Sequence, residues 1–167
     1  EYAVCDWVRL GVFTGSRISE YGQTASHRST LSSPYARTPV SRDAGVWSGQ
    51  ALAFIKDDFT FYSSSFHLLD HKFCLLTTTL DHVFEVHIRF RFDKSKDNFT
   101  IRKFRRIPNA PFDPIIATIN IIRRAYILAI PPHEPLGQYR HPSRSVNSLL
   151  FDRHVLDTMR MACKLAY

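Results

Sequence analysis

Arg17 stands in the stretch Thr14-Gly15-Ser16-Arg17-Ile18-Ser19-Glu20, just past a break between two apolar-patterned segments. Thr14-Gly15-Ser16 supplies the break and two candidate N-cap oxygens, which puts Arg17 in the first turn of a helix. A cation there opposes the helix dipole, and Glu20, three residues on, offsets only part of that cost from the same side. Helix stability therefore does not account for Arg17. Farther along, eight Lys or Arg residues crowd between His87 and Ile107: Arg89, Arg91, Lys94, Lys96, Arg102, Lys103, Arg105 and Arg106, against Asp93 and Asp97. Nearly all of the formal charge of +7 sits there. An arginine fork donates two parallel hydrogen bonds to non-bridging phosphodiester oxygens and keeps its charge at any relevant pH. A lysine can supply what an arginine cannot, a proton to a leaving oxygen, because neighbouring cations can lower its pKa. Arg17 and Lys94 are thus a candidate clamp and a candidate acid, and the remaining cations are candidate contacts to a phosphate backbone. A solvated basic face without a partner is the plainer alternative.

The elements that must position these residues follow from periodicity. Ahead of the break, Tyr2, Ala3, Val4, Trp7, Val8, Leu10, Gly11 and Val12 recur at helical spacing, which predicts a helix buried on one face. Thr24 to Gln50 has no apolar period and reads as a long loop insertion. Asp58 to Tyr62 alternates like a short strand, and Val83 to Phe92 like a longer one, with Ile88, Phe90 and Phe92 on one face and His87, Arg89 and Arg91 on the other. Lys94 to Asn98 reads as a hairpin loop, and Phe99-Thr100-Ile101 opens the returning strand. Residues 114–129 return to helical spacing with Pro131-Pro132 as the stop, and 152–167 form a last amphipathic helix through Val155, Leu156, Met159, Cys163 and Leu165.

Composition excludes several classes. With 44% hydrophobic and 13% aromatic residues the chain is rich enough in apolar side chains for a packed core. No apolar run reaches the roughly 20 residues of a bilayer span, so no membrane partner is expected. Cys5, Cys74 and Cys163 lie far apart, which supports neither a disulfide framework nor a cysteine zinc site and suits a reducing compartment. The histidines show no H-x-x-x-H or H-E-x-x-H spacing and there is no glycine-rich phosphate loop, so neither a metal nor a nucleotide cofactor is expected.

At the level of motifs, Leu10 to Glu20 resembles the T-G-x-R-x-x-E box of tyrosine recombinases, the phage-integrase family. In that family the arginine is the first of two that bind the scissile phosphate. The box is followed there by a small antiparallel sheet whose second hairpin carries a catalytic lysine, and Arg89 to Lys96 sits in the matching place. The D-F-x-F stretch at Asp58 to Phe61 and the E-P-L-G stretch at Glu134 to Gly137 are similar to those of integrase-type recombinases of eukaryotic mobile elements. The resemblance implies an α+β fold, a mostly helical catalytic domain with a small antiparallel sheet, spanning residues 1–167 and incomplete at the C-terminus. It implies double-stranded DNA as partner, self-association on DNA, and breaking and rejoining through a 3′-phosphotyrosine. That intermediate conserves the bond energy, so neither metal nor ATP is called for. A nuclear location follows for a eukaryotic host, a cytoplasmic one otherwise. His141-Pro142-Ser143-Arg144 has the letters of the family's H-x-x-R box, but holds Pro where the helix of that box begins and precedes the helix that should come before it. The second arginine and the nucleophilic tyrosine are accordingly expected beyond Tyr167, and the chain alone is expected to be inactive.

Three other readings stay open on sequence grounds. Leu10-Gly11-Val12 followed by Ile18-Ser19 resembles a helix-turn-helix, which suits a DNA-binding regulator without catalysis. An inactive remnant of a recombinase is a second. A sheet using Phe90, Phe92 and Phe104 as stacking platforms for RNA is a third.

Overall fold

A computed structural model of the chain describes residues 2–15, 53–75, 82–90, 99–110, 113–140, 147–150 and 152–166. Helix α1 (Tyr2–Thr14) buries Val4, Trp7 and Leu10 at the three-residue spacing read from the sequence, whereas Val12, expected on the same face, is exposed because it stands two positions past Leu10 and so turns away from that stripe. It ends because Gly15 takes φ +64°, a left-handed conformation that glycine adopts without strain, and donates its N–H to the Gly11 carbonyl at 2.9 Å. The Thr14 hydroxyl donates back to the Leu10 carbonyl at 2.9 Å. That oxygen is therefore engaged in closing α1.

Strands β1 (Phe59–Ser63), β2 (Leu68–Leu69), β3 (Val83–Phe90) and β4 (Thr100–Arg105) form an antiparallel sheet in the order β2-β1-β3-β4. The central β1–β3 pair sets Phe59 against Ile88 and Phe61 against Val86, so the apolar positions share a face. Phe59, Phe61, Val86, Ile88 and Phe90 are all buried there. The expected alternation of β3 is realised from Val86 to Phe90. Phe92 and Arg91 lie outside the described residues. Strand β4 is an edge strand exposed along most of its length, which is why its own alternation is faint.

Helix α2 (Pro114–Ile127) packs against α1, β3 and β4. Asp113 is its N-cap, accepting from the Ile115 N–H at 2.8 Å, and Pro114 occupies the first turn. The helix stops ahead of the Pro131-Pro132 pair. Ala129 takes φ 53°, and the Ile130 N–H turns back to the Ala125 carbonyl at 2.9 Å. An alanine occupies the position where glycine usually signals such an ending, so the mark of it in the sequence is the proline pair that follows. Phe54 joins the layers, stacked on Trp7 of α1 at 6.1 Å and edge-on to Phe59 and Phe90 at 5.4 Å.

The connection after α2 holds a two-stranded antiparallel pair, β5 (Gln138–Arg140) and β6 (Asn147–Leu149). Residues 141–146, which contain the H-x-x-R letters, join those strands and lie outside the described residues. The E-P-L-G stretch docks on the core, Leu136 donating its N–H to the Phe54 carbonyl at 2.8 Å. Helix α3 (Asp152–Ala166) follows. Of its predicted apolar face Val155 is buried, whereas Leu156, Met159 and Cys163 are exposed. The chain is thus an α+β fold with three α-helices and a small antiparallel sheet among the described residues. No described helix is long and apolar enough to cross a membrane.

Candidate nucleic-acid interface

The β3–β4 pair carries most of the described cations predicted from sequence, and its register decides what each can do. Arg105 lies opposite Glu85, Lys103 opposite His87, and Ile101 opposite Arg89, all on the outer face of the sheet. Arg105 Nε donates to Glu85 at 2.9 Å and His87 Nε2 lies 2.6 Å from the other Glu85 oxygen. The Tyr62 ring packs 4.4 Å from the His87 ring. Glu85 is buried by these neighbours although it points away from the core, and the Arg105 and His87 hydrogen bonds hold its carboxyl below the ordinary value. Arg89 Nε donates to Asp58 at 3.1 Å, and a second guanidinium nitrogen donates to the Asp57 carbonyl at 3.1 Å. Asp58 is itself buried and also accepts from the Ile55 N–H at 2.9 Å, which closes the 3-10 turn Lys56–Asp58. Lys56 in that turn lies over the Tyr126 ring at 4.8 Å, and desolvation lowers its pKa.

Arg106, just past β4, lies 3.7 Å from Asp113 and so ties the hairpin to the start of α2. Lys103 has no hydrogen-bond or ion-pair partner among the described residues. Three carboxylates that sequence reading passed over, Asp58, Glu85 and Asp113, therefore engage Arg89, Arg105 and Arg106. All three stand outside the segment 87–107 in which the charge excess was counted. One signal for them was available, since Glu85 is in phase with His87 and Arg89 on a strand and must share their face.

Arg102 is placed differently. It falls in line with Ile88 on the inner face, yet its guanidinium reaches over the Phe90 ring at 4.6 Å and donates to the Thr14 carbonyl at 3.2 Å. A cation at the C-terminus of α1 meets the negative end of the helix dipole and one of the helix's last carbonyls. The contact brings the basic hairpin against Thr14-Gly15, the first two residues of the T-G-x-R-x-x-E stretch. Arg17, Glu20, Lys94, Lys96 and Arg91 lie outside the described residues.

The aromatic residues considered as an RNA platform sit otherwise: Phe90 is buried in edge contact with Phe54 and Phe104 is half-buried against the core. No group of three or more His, Cys, Asp or Glu among the described residues is arranged to hold a metal ion. Comparison of the chain with protein-family models, with curated proteins and with solved structures finds no match.

Proposed function

We propose that this chain forms part of the catalytic domain of a DNA breaking-and-rejoining enzyme of the tyrosine recombinase kind, serving site-specific recombination or the integration of a mobile element. The observation that carries the reading is the Arg102 contact to the Thr14 carbonyl at 3.2 Å. It spans 88 residues of sequence and seats the basic hairpin beside the segment that introduces Arg17. A helix-turn-helix regulator gives no reason for a hairpin to be docked there.

In this reading Arg17 grips the non-bridging oxygens of the scissile phosphate and stabilises the charge that builds on them in the pentavalent transition state. Glu20, three residues on in the sequence, steadies the Arg17 fork. A tyrosine attacks phosphorus, the bond from phosphorus to the 5′-oxygen breaks, and Lys94 gives its proton to that oxygen as it leaves. Lys96, Lys103 and Arg91 track the flanking phosphates. Arg89, Arg102, Arg105 and Arg106 set the shape of the surface, because each already serves a partner within the protein.

The test is trapping on a nicked suicide duplex. The complete protein that carries this chain should form a covalent adduct, and Arg17→Ala should abolish it. Lys94→Ala should slow cleavage of the normal substrate by at least about 100-fold, and of a 5′-thio substrate, whose leaving group needs no proton, far less. Absence of any adduct from the complete protein sinks the enzyme reading, and equal losses on both substrates remove Lys94 as the acid.

A further inference from the structure

Strand β4 ends the sheet, and its register fixes which of its main-chain groups face outward. The Arg106 N–H donates to the Phe84 carbonyl at 3.0 Å and the Phe99 N–H to the Phe90 carbonyl at 2.6 Å, so the even-numbered residues of β3 turn their main chain towards β4. Their partners in register, Thr100, Arg102 and Phe104, turn theirs back. Main-chain direction alternates along an antiparallel strand, so the N–H and C=O groups of Ile101, Lys103 and Arg105 point away from β3. No described residue's main chain pairs with them on that side. The strand is exposed at every position but Phe104, which is half-buried. On the outer face, Ile101 is 55% exposed, and the Arg105 side chain is 67% exposed despite its bond to Glu85.

We propose that the free edge of β4 is a docking site for an extended acidic peptide, which adds a further strand to the sheet. Each outward-facing residue offers one donor and one acceptor, and such a row is a template for strand addition. Its charge selects the occupant. The stretch Thr100–Arg105 holds Arg102, Lys103 and Arg105 and no acidic residue. A second copy of β4 laid antiparallel on this edge would set cations against cations, which destabilises the pairing. A strand carrying carboxylates meets opposite charges instead. Alternation also dictates the pattern of an antiparallel occupant: an acidic residue opposite Arg105, another opposite Lys103 and an apolar one opposite Ile101, with the intervening residues on the side of Phe104. Main-chain bonds supply the affinity and the outer side chains the choice. The inference is independent of the recombinase reading, since it rests on main-chain groups that face away from the sheet and not on any contact to phosphate.

The probe is a fluorescein-labelled peptide, T-E-V-E-V-V-T, titrated with the chain at low salt and read by anisotropy. It should bind, and T-K-V-K-V-V-T should bind more weakly by about tenfold or more. Two N-methylated forms of the acidic peptide separate strand addition from charge attraction. Methylating the amides of both glutamates and of the last valine removes the N–H groups that face β4, and should weaken binding by at least about tenfold. Methylating the other two valines, whose N–H groups face away, should change it by less than about threefold. Lys103→Glu should shrink the preference for the acidic peptide by about tenfold, with the far-UV circular dichroism unchanged. No binding of the acidic peptide at millimolar concentration, equal losses from the two methylation patterns, or equal binding of the lysine peptide overturns the proposal. So does a dimer of the chain that the acidic peptide fails to dissociate, which would assign the edge to a second copy.

Discussion

On the inner face of the sheet Phe59, Phe61, Val86, Ile88 and Phe90 are shut from solvent, while on the outer face the same strands carry Tyr62, Glu85, His87, Arg89, Lys103 and Arg105. The inner face is held by burial, which is non-directional and proportional to area. The outer face is held by pairs whose geometry is specific: Arg105 to Glu85, Arg89 to Asp58, His87 against both Glu85 and Tyr62. A charged surface is therefore not equivalent to a free one. The sheet spends most of its described arginines on fixing its own outer layer, and Lys103 is the exception whose charge is left for solvent or a partner.

The largest effect that would separate the two faces is a cavity on the inner one. Ile88→Ala, at a position with no solvent exposure, should cost about 2–5 kcal/mol, read as a lowered urea midpoint with the slope unchanged. A loss under about 1 kcal/mol would mean that the core collapses around the site and that burial is not what holds the sheet.

On the outer face the corresponding change is Glu85→Gln, expected to cost about 2 kcal/mol at neutral pH because Arg105 and His87 lose a charged acceptor. Its pH dependence has a definite sign. The hydrogen bonds of Arg105, then of His87, lower the folded carboxyl pKa, so the unfolded chain holds more protons between the two values. The stabilisation is complete above the unfolded value, about 4.3, and is lost as pH falls through the folded one. The gap between wild type and Glu85→Gln should accordingly shrink in acid. A gap that stays constant from neutral pH to below the folded value would assign the loss to packing.

These pairs also show what a sequence can and cannot disclose. The faces of β3 were legible because alternation is a local property, and so were most of the core positions of α1 and α2, whose apolar spacing needs no knowledge of partners, although Val12 of α1 is exposed. Asp58, Asp113 and Phe54 were not, since each acts on a residue brought near only by the fold: Asp58 meets Arg89 across 31 positions. The β5–β6 pair escaped because strands of three residues carry too little pattern. Helix α3 illustrates the opposite limit. Its periodicity correctly identifies an apolar side, but amphipathicity says which side would be buried and not whether anything covers it, and Leu156 and Met159 are exposed. For the candidate site, Arg17 and Lys94 remain sequence-based assignments, whereas the partners of Arg89, Arg102, Arg105 and Arg106 had to come from three dimensions.

A smaller effect is expected where the two faces meet. Arg102 starts in register with the inner face and ends on the Thr14 carbonyl, so Arg102→Gln removes a cation from the C-terminus of α1 and its contact with the Phe90 ring. The cost should be about 1 kcal/mol. Hydrogen exchange should quicken at the last turn of α1 more than in β1. Uniform acceleration across the sheet would show that the contact stabilises the fold generally and does not dock the hairpin.

The smallest change in stability should come from Lys103→Gln, within about 0.5 kcal/mol, as for surface positions without a partner. Its value lies in the contrast with Arg89→Gln. A free ammonium that contacts a phosphate releases a counterion, so Lys103→Gln should reduce the magnitude of the salt slope of duplex binding by about one. Arg89 is bound to the buried Asp58 and must give up that pair before it can serve DNA, so Arg89→Gln should leave the slope nearly unchanged while costing about 2 kcal/mol in stability. The two variants remove the same charge from the same face and differ only in whether a carboxylate had already claimed it. Equal slope changes would show that the Asp58 pair opens to receive a phosphate, and an affinity that ignores salt in the wild type would remove the outer face as an electrostatic surface for DNA altogether.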